Sequence, residues 1–343
     1  LIQPRRYGVC DPTHFYYAQL VEELEEIMIE IALMIEGQDG LNWERWKRIA
    51  QAVEELGFVG LYRSDHFTNP GPPDKDSLEL WVSLTWLASH TRRIEFGPMV
   101  SPVSFRDPVM TARIASQVDD LSGGRLNLGM GAGWSEREHN NYGYDLLNVP
   151  ERFQRFEEGL QVVTQLLKSA EPVSFEGQYY RLKDAILLPR PQRSGGPPIV
   201  IGGNGPKRTL PLAAKFAQEW NGVYISPEGF AERNALLDQM LLERGRDPKE
   251  AKRSLMTRLV FGNSEKEARV KAEEEAREWQ TEVEVLKNQF GFIIGAPDQI
   301  IERLKEYQAK GVQRIMLQWL EQDNLDDLKT LANTVIPEFT FEN

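Results

Sequence analysis

From Ile27 onward the chain alternates two patterns: short apolar, often β-branched runs, and longer stretches whose apolar residues recur every three or four positions. IMIEIALMI (27–35) reads as a buried strand and NWERWKRIAQAVEEL as the helix after it, stopped by Gly57. FVGLYRSDHF (58–67) with SLELWVSLTWLASH forms the second pair. RIEFGPMV (93–100) with DPVMTARIASQVDDL forms the third, with Asp107 as N-cap and Pro108 at the first helical position. RLNLGMG (125–131) is the fourth strand; after an irregular, aromatic-rich stretch its helix is ERFQRFEEGLQVVTQLLK (151–168). PPIVIGG (197–203) with KRTLPLAAKFA, and EWNGVYI (219–225) with EGFAERNALLDQMLLER, follow. The seventh strand, SLMTRLVFG (254–262), leads into a charged helical region to about residue 289 and then PDQIIERLKEYQAKG. The eighth, GVQRIMLQ (311–318), precedes the helix LDDLKTLANTVI.

Eight consecutive β-α units predict an α/β fold, a TIM (β/α)8 barrel with insertions at its C-terminal face; an open doubly wound sheet more often stops at fewer strands. The expected organisation is an N-terminal extension over 1–26 and one barrel over 27–343. An insertion at about 169–196 reads as a small hairpin and an extended strap.

Composition narrows the chemistry. A net charge of −12 over 343 residues argues against nucleic acid as a partner. The single cysteine, Cys10, excludes a disulfide framework, and only His14, His66, His90 and His139 remain for a metal site, so no metal is expected. No apolar run approaches the roughly 20 residues of a membrane span. The polar start does not read as a signal peptide, so no membrane partner and a cytoplasmic address are expected.

In a barrel the residues just after each strand carry the chemistry. Asp65-His66 after the second strand is the adjacent acid and imidazole at such a place, and an imidazole exchanges protons near neutrality. His90 ends a helix, where it suits the dipole. Gly202-Gly203-Asn204-Gly205, followed by Pro206, Lys207, Arg208 and Thr209, is a strand-to-helix turn suited to an anion: glycines admit it closely and a helix N-terminus meets it. It does not match the Walker pattern, and GMGAGW lacks the full dinucleotide fingerprint. Met99-Val100-Ser101 and Gly131-Ala132-Gly133-Trp134 add small and apolar groups at the same rim. A flat apolar wall, a phosphate-type turn and an imidazole on one face suit a phosphorylated aromatic cofactor.

The motifs RSDHF (63–67), GPMVSPVSFRDP, LSGGRLNLGMGAGWSEREHNNYG (121–143), ERFQRFEEGL (151–160), VSFEGQYYRL (173–182) and PPIVIGGNGPKRTLPLAAKFAQEWN (197–221) occur in that order. Together they resemble the bacterial luciferase-like superfamily of flavin and deazaflavin enzymes, in particular its coenzyme F420-dependent oxidoreductases, over about residues 27–335. The resemblance implies a TIM barrel holding one flavin-like ring. It implies a non-proline cis peptide behind the ring, by position Met99-Val100 with Ser101 beyond it, and a phosphate held by Gly202, Gly203, Asn204, Gly205, Arg208 and Thr209. Gly131, Ala132, Gly133 and Trp134 would approach the ring and tail, with Asp65 near the ring and His66 beside the substrate as the catalytic pair. The implied activity is hydride transfer between F420 and a small organic substrate. The rival on the same barrel is an FMN-dependent monooxygenase fed by a partner flavin reductase, and a second rival is a non-catalytic flavin-binding protein. A homodimer is implied, with the helix of Trp81 and Trp86 suited to core or interface. The sugar-phosphate dehydrogenases of this branch carry a tryptophan and a glutamate where this chain has Pro70 and Trp134, so their substrate does not carry over. Bacterial luciferase has a histidine at the place of Asp65, which argues against light emission.

Overall fold

In a computed structural model the structure describes residues 28–340; the extension expected over 1–26 lies outside the described residues. The strands are β1 (Glu30–Ile35), β2 (Gly60–Arg63), β3 (Glu95–Pro98), β4 (Ser101–Pro102), β5 (Leu128–Gly131), β6 (Val173–Glu176) and β7 (Arg181–Ala185). They continue with β8 (Ile199–Gly202), β9 (Glu219–Val223), β10 (Lys252–Phe261), β11 (Ile293–Gly295) and β12 (Arg314–Gln318). The parallel sheet runs β3-β2-β1-β12-β10-β9-β8-β5-β4. β3 and β4 are two pieces of one stave, interrupted at Met99-Val100, and a parallel bridge from Phe96 to Leu126 joins the two ends of the order. The result is the (β/α)8 barrel, with helices between successive staves.

Three local readings are corrected. The third strand is not continuous over 93–100, because the Met99-Val100 peptide is cis and turns the chain before Ser101 pairs with Met130. The charged region after β10 is two helices, Glu265–Glu278 and Val283–Asn288, separated where Gln280 takes a left-handed φ of 53°. The short apolar run Ile293–Gly295 behind them is a strand on the long outer end of β10, too brief to read by periodicity. The aromatic-rich stretch before residue 149 also contains a helix, Glu136–Tyr142, whose N-cap Ser135 accepts from the Glu138 amide. The segment at 169–196 carries the antiparallel hairpin β6–β7.

Two apolar bodies hold the fold. The larger lies between sheet and helices and includes Trp46, Phe58, Phe96, Leu160, Trp220 and Leu317. The smaller fills the barrel with Ala32, Met34, Tyr62, Met99, Val200, Met256 and Met316. Below it, at the N-terminal end, the Arg314 guanidinium meets Glu30 at 2.6 Å, Glu95 at 2.5 Å, Glu219 at 3.1 Å and the Tyr62 hydroxyl at 2.7 Å. Lys252 joins through Glu30 at 2.8 Å, and Asn127 bridges Glu95 and Tyr62. A cavity of about 220 Å³ opens there, lined by Arg125, Arg193 and members of this network. Among the described residues no helix is long and apolar enough to cross a membrane, and no cluster of His, Cys, Asp or Glu could hold a metal ion.

Candidate active site

At the opposite, C-terminal end, β2 stops at Arg63 and the chain turns over the rim through Ser64, Asp65 and His66. Asp65 is buried, and Arg106 takes both of its oxygens, at 2.9 and 2.6 Å. Ser101 donates to it as well, at 3.3 Å, and Arg106 reaches on to Glu79 at 2.8 Å. Burial pushes the Asp65 carboxyl upward while Arg106 opposes it. A carboxylate clamped this way is an anchor for the loop rather than a group free to exchange a proton.

His66 is placed differently. Its Nδ1 lies 3.0 Å from Oε2 of Glu138, a wholly buried carboxylate whose other oxygen accepts from the Phe67 amide. Burial works against the charged imidazole, but the bond and charge of Glu138, with the charges of Glu36 and Asp65, outweigh it and raise its pKa above the ordinary 6.5. Glu138 is held below its ordinary range, because His66 and the Phe67 amide overcome the effect of burial. With Nδ1 engaged, Nε2 is the nitrogen left for chemistry at the rim. Trp134, 61% exposed, packs edge-on to the imidazole with ring centres 5.3 Å apart.

Neither Arg106 nor Glu138 was singled out from the sequence. Glu138 stands three residues after Ser135, a helix-start spacing that conceals any other use. A carboxylate therefore does serve the imidazole, but from the helix Glu136–Tyr142 and not from the position that Trp134 fills.

Next to β2 around the barrel lies an apolar shelf. Val100 follows Met99 across the cis peptide, and its side chain occupies the space that three neighbouring glycines leave open. A Cβ on Gly131 would stand 2.5 Å from Val100 Cγ2; one on Gly129 would be 3.2 Å from Cγ1, and one on Gly202 3.6 Å. Gly131 thus makes room for Val100, whereas Gly129 first makes room for the Pro98 carbonyl, 2.0 Å from an added Cβ. Ala132 packs on the core, and Gly133, at φ +84°, passes so close to Ser104 that a Cβ there would collide with its hydroxyl.

Beyond the shelf, β8 runs into the turn of Gly203, Asn204 and Gly205 and the helix Thr209–Phe216. Gly203, at φ +118°, donates to Asn221 O at 2.9 Å and accepts from the Trp220 indole at 2.9 Å. Asn204 is tied into the fold: its side chain accepts from the Val223 amide at 2.9 Å and donates to Val223 O at 2.6 Å. No side chain caps the helix, and the amides of Gly205, Lys207 and Arg208 donate to no backbone carbonyl among the described residues. Lys207 and Arg208 are exposed. Unmet amides at a helix start with cations beside them fit a phosphate. The turn is three strand spacings from the Asp65 loop, at most ~14 Å around the barrel, so an elongated ligand lying on the shelf can touch both.

The architecture and the rim define the class: a (β/α)8 barrel whose C-terminal face joins an oriented imidazole, an apolar shelf and a strand-to-helix turn with unmet amides. The chain belongs to the luciferase-like monooxygenase family, whose sequence pattern it matches over residues 27–314. It is 33% identical over 181 residues to an F420-dependent glucose-6-phosphate dehydrogenase of Microbacterium testaceum, covering 52% of this chain and 50% of that protein. It is equally 33% identical, over 191 residues, to 4-hydroxyprotoasukamycin monooxygenase of Streptomyces nodosus subsp. asukaensis, covering 55% and 49%. The chain thus spans about half the length of these curated relatives. In structure it is similar to an F420-dependent secondary alcohol dehydrogenase, with TM-score 0.78 at 18% identity over 92% of this chain and 100% of that one, which speaks to the fold.

Proposed function

We propose that this protein is a coenzyme F420-dependent oxidoreductase acting on a small organic substrate. The observation that carries the reading is the His66–Glu138 pair: one imidazole nitrogen bound at 3.0 Å to a buried carboxylate, the other at the rim beside the shelf. Transfer of a hydride to or from a carbon is the chemistry the deazaflavin supplies when bound. The chain's part is to seat and orient. Lys207, Arg208, Thr209 and the free amides of the β8 turn would hold the phosphate, and Met99, Val100 and Ser101 would lie behind the ring. His66 gives or takes, at Nε2, the proton that must move at the substrate oxygen or nitrogen. Glu138 fixes the imidazole's direction and favours its protonated form. Asp65, closed by Arg106, keeps the loop in register.

Similarity at equal identity to a monooxygenase supports a second reading, an FMN-dependent monooxygenase working with a partner flavin reductase. Fluorescence titration of the purified protein with F420 and FMN in parallel separates them. Tighter binding of F420 is expected; preference for FMN overturns the first reading in favour of the second. The assembly proposed is a homodimer, supported by the apolar surface of Val82, 56% exposed, with Trp43 and Trp86 in edge contact nearby.

A further inference from the structure

The half of the rim that runs from β9 through β12 and β1 to β2 carries a hydrogen-bond chain with no part in the scheme above. Tyr224, just past β9, donates its hydroxyl proton to Gln318 Oε1, and Gln318 Nε2 donates to Glu36 Oε1. From the other side the Ser64 hydroxyl donates to Gln38 Oε1 at 2.7 Å, and Gln38 Nε2 donates to Glu36 Oε2 at 2.8 Å. The Gly37 amide fixes the Ser64 oxygen at 2.8 Å. Both arms run inward to one carboxylate. The direction is dictated by chemistry: a carboxylate only accepts, so each amide turns its NH2 to Glu36 and its oxygen to a hydroxyl.

The supports are buried, with Gln318 and Ser64 at 2% exposure and Gln38 at 8%, whereas Glu36 is partly exposed. β1 pairs with β2 up to Ile35 and Arg63, so Glu36 leaves the strand beside the one that leads to His66, and its charge is felt at His66 and at Tyr224. Each of its oxygens accepts one side-chain bond among the described residues and keeps acceptor capacity beyond it. Tyr224 holds its end of the chain from a left-handed φ of 46°, a conformation rare for an aromatic residue. Its ring stands against Trp279 at 5.9 Å and Phe292 at 5.6 Å, so an aromatic wall adjoins the carboxylate.

We propose that Glu36 is a specificity-determining residue: it accepts a hydrogen bond from an O–H or N–H of a substrate whose apolar body lies along Tyr224 and Trp279. This deepens, and rests on, the oxidoreductase reading of the site. The substrate class is an alcohol or amine on an aromatic or bulky apolar skeleton. The corresponding ether is rejected, because it covers Glu36 without a proton to offer it. Gln318, Gln38 and Tyr224 are positioning residues.

The test uses 1-phenylethanol, 1-phenylethylamine and the methyl ether of 1-phenylethanol as probes, followed by tryptophan fluorescence on the full chain without cofactor. The wild-type protein binds the alcohol or amine at least about tenfold more tightly than the ether. Glu36→Gln, which loses the charge and keeps one weaker acceptor oxygen, narrows the preference, and Tyr224→Phe narrows it less. Should Glu36→Gln fail to fold by circular dichroism, the wild-type comparison of alcohol and ether decides alone. Equal binding of alcohol and ether by the wild type, or an undiminished preference in a folded Glu36→Gln, overturns the proposal. A parallel F420 titration keeps the two readings apart: failure to bind F420 with the preference intact sinks the cofactor reading and supports this one.

Discussion

The two ends of the barrel hold comparable numbers of ionisable groups and use them in opposite ways. At the N-terminal end Arg314 and Lys252 face Glu30, Glu95 and Glu219, and every charge has a counter-charge inside the protein. At the C-terminal end the charges are oriented but unfinished: His66 is held by one nitrogen, Glu36 keeps free acceptor sites, and the helix at Thr209 starts uncapped. The difference teaches how to tell a structural ion cluster from a working one. What counts is whether a charge meets its opposite, as Arg314 does three times over and Glu36 does with none of the described residues; charge density alone does not distinguish the two ends.

The hardest way to break the contrast is to remove the centre of the closed end. Arg314→Met leaves three carboxylates near one lysine and is expected to destabilise the protein by about 3–5 kcal/mol, measured by urea denaturation. Burial opposes ionisation of Glu30, but Arg314 and Lys252 prevail and hold its pKa below the ordinary range. Its contribution is therefore present above that range and lost as pH falls through the depressed value. The gap between wild type and variant should narrow in acid; a gap that stays constant into acid would rule out these charges as its cause.

At the open end the expected loss is in rate. His66→Ala should lower turnover about 10²–10⁴-fold. Glu138→Gln sharpens the point, since it keeps the shape and removes the charge. In the variant the His66 limb of the pH–rate profile should move to lower pH. The raised folded value also makes His66 a source of stability, complete below about pH 6.5 and lost as pH rises through that value. Glu138→Gln should flatten this slope, and an unmoved limb would show that Glu138 does not set the charge of the imidazole. The smallest effect belongs to the solvated cations. The double variant Lys207→Ala/Arg208→Ala should weaken cofactor binding about tenfold at low salt and less at high salt. No loss in calorimetric titration would mean that the backbone amides alone hold the phosphate.

The barrel was legible because alternation of strand and helix survives local noise, and caps such as Asp107 announce themselves. Asp65, His66 and the β8 turn were legible because they sit where strands end. Arg106, Glu138 and Glu36 were not. Each works through a partner distant in sequence, Asp65, His66 and Gln318 respectively, and periodicity contains no term for such pairings. The clamp on Asp65 was out of reach for the same reason, because nothing local to it reveals the arginine 41 positions away that holds it.

Val100 and the glycines below it have an evolutionary corollary. One isopropyl group lies against Gly129, Gly131 and Gly202 on two adjacent staves; a Cβ on Gly131 would collide with it at 2.5 Å, whereas one on Gly129 would strike the Pro98 carbonyl at 2.0 Å. Changes at Gly131 are epistatic with Val100: a bulkier residue there becomes acceptable only after Val100 has shrunk, and each single step is worse than either end state. Lineages that diverge in reactivity are expected to leave this quartet alone and vary Trp134, Glu36 and Tyr224 instead. A library built to redirect the enzyme should do the same.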